Sequence, residues 1–226
     1  MKNIIISDEI KACAPDLKVI QIEAEVKNTP TGDELWAELC EVERELSTAL
    51  SVPDINRRPG IAATRTAYKA CGKDPNRYRP SNEQLSRRVV QKKGLYRLTT
   101  LVDIINLVSL KAGYSIGGFD ADHIEGENVV LGIGRHDEPY CGIGRGPLNI
   151  EGLPVYRDAK GGIGTPTSDE ERTKLSESTT HLMMLVNVYG EEMPIEETRD
   201  WLCRLLVRYA GADPDTISCR IISAVG

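Results

Sequence analysis

Residues 99–126 read TTLVDIINLVSLKAGYSIGGFDADHIEG, and the change of rhythm at Gly113 decides the fold. Before it, Leu101, Ile104, Ile105, Val108 and Leu110 recur at helical spacing behind Thr99 or Thr100. Gly113 then offers the left-handed stop that ends a helix. After it, from Gly113 to Thr167, glycine returns every few residues and punctuates short strands such as Val129–Ile133 and Leu153–Tyr156.

Working outward, the upstream half is mostly helical after two opening strands. Ile4–Ile6 and Leu17–Val26 read as strands, the second alternating through Val19, Ile20, Ile22, Ala24 and Val26. Thr31 with Glu34 forms a capping-box pattern ahead of Leu35, Leu39, Val42, Leu46 and Leu50. Pro59 suits the first turn of a second helix that Gly72 ends, and Ser81 with Gln84 opens a third running to Gly94. Downstream, His181–Tyr189 is a continuous apolar run of strand length. Pro194 opens an amphipathic helix through Trp201, Leu202, Leu205 and Leu206 to Gly211, and Ile217–Val225 closes as a strand. With no linker and no repeat, the pattern predicts an α+β fold, one domain over 1–226 with a mixed β-sheet flanked by helices.

The 226 residues carry a net charge of −6, unevenly spread. Residues 1–56 hold 5 basic and 12 acidic side chains, residues 57–97 hold 12 and 2, and residues 98–226 hold 11 and 20. A basic segment lies inside an acidic chain. Its members Arg57, Arg58, Arg65, Lys69, Lys73, Arg77, Arg79, Arg87, Arg88, Lys92 and Lys93, with Arg97, form a candidate phosphate-binding surface. Arg65, Lys69 and Lys73 are spaced by four, and Tyr68, Tyr78 and Tyr96 stand among the charges where they would stack on bases. The competing reading is a solvated face whose arginines pair with the acidic flanks.

Other classes fare worse. The opening apolar run is too short for a secretory signal, and no later one approaches a membrane span. Six cysteines at wide intervals, without CxxC, read as free thiols of a cytoplasmic protein; no metal site and no cofactor is expected. GIGRG at 142–146 departs from the dinucleotide fingerprint and is followed by Pro147, so it reads as tight turns. His181 reads as a packed residue, His136 as part of an exposed turn, and His123 as a neighbour of Asp120 and Asp122 in a polar cluster. Residues 165–173, TPTSDEERT, read equally as a solvated turn or a lid.

Three strings carry a family resemblance: LVDIINLVSLKAG (101–113), GYSIGGFDADHIEG (113–126) and GPLNIEGLPVYRDAKGG (146–162). They resemble the B3/B4 domain of the phenylalanyl-tRNA synthetase β subunit, with Val102, Asp103, Asn106, Gly113, Phe119, Asp120 and Gly126 matching its pattern. GKDPNRYRPS (72–81) looks more like free-standing B3/B4 proteins. The likeness spans roughly 57–190, leaving 1–56 and 191–226 as flanking elements on the same domain.

The resemblance implies a tRNA or aminoacyl-tRNA partner and a pocket where mischarged esters are hydrolysed. It places that pocket at Asn106, Ser115, Gly117, Gly118, Asp120, Gly144, Asn149, Glu151, Gly162 and Thr165. Three of the family's polar positions fall on Ile105, Gly117 and Leu185, which weakens tyrosine-specific editing. Two functions therefore stand: binding of tRNA or its aminoacylated 3′ end, with hydrolysis in trans, or a non-catalytic small-molecule-binding or regulatory module. No catalytic residue is assigned.

Overall fold

The computed structural model describes residues 1–225; Gly226, the last residue of the expected domain, lies outside the described residues. In chain order the elements are β1 (Asn3–Ile6), α1 (Asp8–Cys13), β2 (Lys18–Glu25), α2 (Asp33–Ala49), α3 (Val52–Ile55), α4 (Pro59–Ala70), α5 (Ser81–Val90) and α6 (Thr100–Ala112). There follow β3 (Ser115–Asp120), β4 (Asn128–Ile133), β5 (Cys141–Gly142), β6 (Gly146–Pro147), β7 (Pro154–Arg157), β8 (Gly162–Gly164), β9 (His181–Val188), α7 (Ile195–Ala210) and β10 (Ser218–Ser223). The α+β class is as expected. Eight strands divide between two four-stranded sheets, one in the order β1-β4-β7-β8 and the other β10-β2-β9-β3, while β5 and β6 pair separately as a two-stranded ribbon. The first is mixed, β1 lying parallel to β4; the second is antiparallel throughout.

The apolar run of β9 follows from its place. Leu182, Met184, Val186 and Val188 face a core shared with α2, α6 and α7. Met183 and Leu185 face the other way, against Ile4, Ile6, Val129, Leu131 and Tyr156 of the mixed sheet. A strand covered on both faces has no polar side to alternate with. Asn187 belongs to the second face and is satisfied there, accepting from the Tyr156 hydroxyl at 2.7 Å and donating to the Ser115 carbonyl at 3.2 Å.

Helix α6 is held at both ends by polar contacts that the sequence alone does not display. Asp103 is fully buried and accepts from Thr31 Oγ1 at 2.5 Å and from the Leu98 amide at 2.9 Å. Thr31 is therefore no helix cap: Gly32 occupies the N-cap of α2 and Thr31 ties that corner to α6. At the other end Gly113 adopts φ 76°, and its carbonyl accepts from Asn82 Nδ2 at 2.7 Å. Gly60 of α4 packs against the same carbonyl, so closely that an added Cβ would lie 2.4 Å from the oxygen. Gly60→Ala should therefore destabilise the protein by about 1–3 kcal/mol, a lowered thermal midpoint being the readout.

Several expected boundaries shift. α5 ends at Val90, before Gly94, because Lys92 turns left-handed at φ 56°. α4 ends at Ala70, so Lys73 lies beyond it and does not extend a face with Arg65 and Lys69. The short α1 and α3 are additions the periodicity did not reveal.

Candidate functional site

Between α5, α6 and the edge strand β3 lies a cavity of about 300 Å³. α6 presents Val102, Ile105, Asn106 and Ser109, and β3 presents Ile116 and Gly118. Ser81 and Leu85 of α5 form a second wall; Leu98, Ile143, Asp169, Lys174 and Leu175 come from loops. Leu98 and Ile143 are 50% and 41% exposed, which makes an apolar rim. Gly118 keeps the wall thin: a Cβ there would sit 2.4 Å from Ile105 Cδ1.

Asp169 is the cavity's unusual residue. The segment after β8 runs along the open edge of β3, bridging Gly164 to Asp169 and Phe119 to Lys174. This brings Asp169 Oδ2 to the Gly118 amide at 3.2 Å. Oδ1 accepts no hydrogen bond and no Lys or Arg pairs with the carboxyl, among the described residues. Burial accordingly pushes the carboxyl up to about 7, the Gly118 amide pulling the other way. The TPTSDEERT loop is thus neither a solvated turn nor a free lid at this point; it delivers a half-buried acid.

A second depression adjoins the first. Arg79, Gln84, Leu85, Arg87, Arg88, Gln91 and Lys93 line an open groove of about 500 Å³. Leu85 is common to both, so α5 separates an apolar cavity from a basic groove by the width of one side chain. Arg145, from the loop between β5 and β6, reaches Gln84 Oε1 at 2.5 Å and adds a further charge beside the groove.

The basic segment divides into internal and external charges. Glu83 is wholly buried and gathers Arg65 and Arg87 at 2.8 Å, with Arg79 at 3.6 Å. Arg58 is buried against Glu192 at 2.7 Å, and Lys73 is buried with its ammonium on the carbonyls of Asn149 and Glu151. Arg58 and Lys73 are not placed to meet a phosphate. Arg88 donates to the Gly94 carbonyl and lies 4.4 Å over the Tyr96 ring. Arg57 is exposed beside Asp54, and Lys69, Arg77, Lys92, Lys93 and Arg97 are exposed. Of the three tyrosines, Tyr68 is core and bonds Thr167 at 2.9 Å, and Tyr78 lies under Lys73. Tyr96 is 68% exposed, with Arg88 over one face of its ring.

The expected pocket residues separate likewise. Asn106 and Gly118 line the cavity, and the 142–146 loop contributes Ile143 in place of Gly144. Gly117 faces the opposite side of β3, where a Cβ would meet the Phe119 ring and Asp169 Oδ1. Ser115 is buried, its hydroxyl without a partner among the described residues. Asp120 is buried and accepts from Thr179 Oγ1 at 2.8 Å. Asn149 and Glu151 lie with Lys73 and His136, Gly162 packs on Tyr140, and Thr165 closes a turn with Ser168. Contrary to expectation, His181 is exposed and sits 2.8 Å from Asp122 Oδ2, taking the partner assigned to His123. That carboxylate holds the His181 imidazole above its ordinary value. Among the described residues, no three His, Cys, Asp or Glu side chains converge as a metal site, and no helix is long and apolar enough to cross a membrane.

Fold and site together define an α+β protein with a small apolar cavity and a basic groove set side by side on one helix. Residues 63–200 match the model of the B3/4 domain, and the chain belongs to that family. Among solved structures, an N-terminal fragment of the phenylalanyl-tRNA synthetase beta-subunit from Pyrococcus horikoshii aligns with a TM-score of 0.49 and 11% identity. The alignment covers 96% of this chain and 53% of that one, so the chain spans about half the length of this neighbour. No curated protein matches the sequence.

Proposed function

We propose that this protein, acting as one domain over 1–226, binds the aminoacylated 3′ end of tRNA. The observation that carries the reading is the shared wall at Leu85. A ligand with a small, largely apolar body joined directly to a run of phosphates matches a cavity that opens beside a basic groove. An aminoacyl ester on a terminal ribose has that form. Family membership and the resemblance in the 101–126 strings support the same ligand class. Hydrolysis of the ester in trans extends the proposal. The second reading, a binding module without chemistry, is favoured by a cavity wall that contains no histidine and no cysteine.

Binding to charged and uncharged tRNA across a salt series tests the proposal. Removing one cation that meets a phosphate should reduce the slope of log affinity against log salt by roughly one. Arg88→Glu with Lys93→Glu should weaken binding about tenfold or more and flatten that slope. Lys69→Glu with Arg77→Glu, which lie outside the groove, should change affinity much less. Affinity that does not vary with salt would remove tRNA as the ligand. A deacylation assay on the same panel separates the hydrolase from the binding module.

A further inference from the structure

The fold brings four of the six cysteines together in two pairs drawn from different elements. Cys13, at the end of α1, donates to the Ala70 carbonyl at 3.4 Å, next to Cys71. Cys203 of α7 and Cys219 of β10 form the second pair. A disulfide closes only where two Cβ bonds converge, and the register of β10 supplies that convergence. Cys219 lies opposite Ile22 of β2 and alternates in phase with Ile217 and Ile221, which pack on the core beneath α7. Ile222, one step out of phase, packs on the other core. Cys203 rests on the same core as Ile217 and Ile221. Both cysteines accordingly line one depression of about 390 Å³, together with Arg204, Val207, Pro214 and Ile217.

We infer that Cys203 and Cys219 are a reversible disulfide site, which clamps β10 to α7 when a low-molecular-weight disulfide such as oxidised glutathione accumulates. The step is thiol–disulfide exchange. Cys219, the exposed member, gives its proton to water and its sulfur attacks one sulfur of the oxidant. The S–S bond of the oxidant breaks, and the first small thiol leaves and takes up a proton. Cys203, deprotonated in turn, attacks the Cys219 sulfur of the mixed disulfide and expels the second small thiol. The protein loses two electrons and two protons, and the oxidant gains both. Burial pushes the Cys203 thiol up to about 11, contact with the Cys219 sulfur adding to it, which makes Cys203 the slow, resolving partner. Arg204 on the wall of the depression offers a cation to the carboxylates of the incoming tripeptide. The first pair lacks this entry. Cys71 lies against the inner core, where burial pushes its thiol up to about 12, and Cys13 is tied to a carbonyl. The inference is independent of the tRNA reading.

The full chain is equilibrated with reduced and oxidised glutathione over a range of ratios, alkylated, and mapped by mass spectrometry without reduction. A Cys203–Cys219 cross-link, two hydrogens lighter than the dithiol, should grow with the oxidised fraction and disappear in excess reduced glutathione. Because the bridge constrains the unfolded chain, the oxidised protein should melt roughly 5–10 °C above the reduced one. That rise should be absent from Cys203→Ser. The same variant should retain glutathione on Cys219 as a persistent mixed disulfide, whereas Cys219→Ser should hold little on Cys203. The map of the wild type stands whether or not either variant folds. No Cys203–Cys219 cross-link at any ratio, preferential linking of Cys13 to Cys71, or an oxidised chain that melts no later than the reduced one would each overturn the inference.

Discussion

Asp169→Asn should make the protein more stable at pH 8, by as much as about 4 kcal/mol, and leave it unchanged near pH 4. In the unfolded chain the carboxyl ionises near its ordinary value of 3.8, whereas burial raises it to about 7 in the folded protein. Below 3.8 both states hold the proton and the group is neutral in the balance. Between the two values the unfolded chain releases a proton that the folded chain keeps, so stability falls as pH rises. Above about 7 the folded carboxylate is ionised too, and the penalty levels off. Desolvation raises the carboxyl and the Gly118 amide lowers it. Glu170 is adjacent, Tyr140 and Tyr156 are buried hydroxyls pushed upward partly by the Asp169 charge, and Lys174 is held by Glu171. Asparagine retains an oxygen for the Gly118 amide without the charge. Denaturant unfolding of both proteins from pH 4 to 8 reads the difference directly. A wild type as stable as the variant at pH 8 would mean the carboxyl has a partner or ready access to water.

Glu83→Gln should have the opposite sign and comparable size. Its side chain is fully buried and is the common counter-charge of Arg65, Arg79 and Arg87. Removing the charge while keeping the shape leaves three guanidinium groups facing a neutral amide. Breaking a buried pair by removing one partner typically costs 3–5 kcal/mol. We expect about 3 kcal/mol here, because Arg79 is 46% exposed and can turn toward water. The urea midpoint should drop with the slope unchanged. The groove should suffer as well, since Arg79 and Arg87 line it from positions that Glu83 fixes. An unaltered midpoint would show that the arginines are held by their other partners, such as Arg65 on the Pro75 carbonyl and Arg87 on Asn56.

Much of the fold was legible because its signals are local. The helical rhythm of Leu101 to Leu110, the left-handed Gly113 and Gly211, and the unbroken apolar run of β9 each report a nearby physical cause. Pairings between distant segments were not legible. Nothing near Thr31 announces Asp103, and nothing near Glu83 announces Arg65, although Arg79 and Arg87 stand four residues to either side of that glutamate. The basic segment kept its charge but lost part of its surface for this reason.

The site divides in the same way. Asn106 and Gly118 were found through the strings they sit in, and both line the cavity. Asp169 was missed because TPTSDEERT has the composition of a solvated loop. Only its run along the β3 edge, opposite Gly117 and Gly164, turns one of its acids inward. Two glycines whose missing side chains leave room for the Phe119 ring and the Asp169 carboxyl were the available signal, and glycine-rich turns concealed it.

The central claim is that cavity and groove receive a single ligand across Leu85. Val102→Trp fills the cavity from α6 without touching the groove. The most direct measurement is the ratio of affinities for aminoacylated and deacylated tRNA, in the wild type and in this variant. The account predicts at least a tenfold advantage for the charged form in the wild type, lost in Val102→Trp while deacylated tRNA binds as before. Equal affinity for both forms in the wild type, or an advantage that survives the filled cavity, would contradict it.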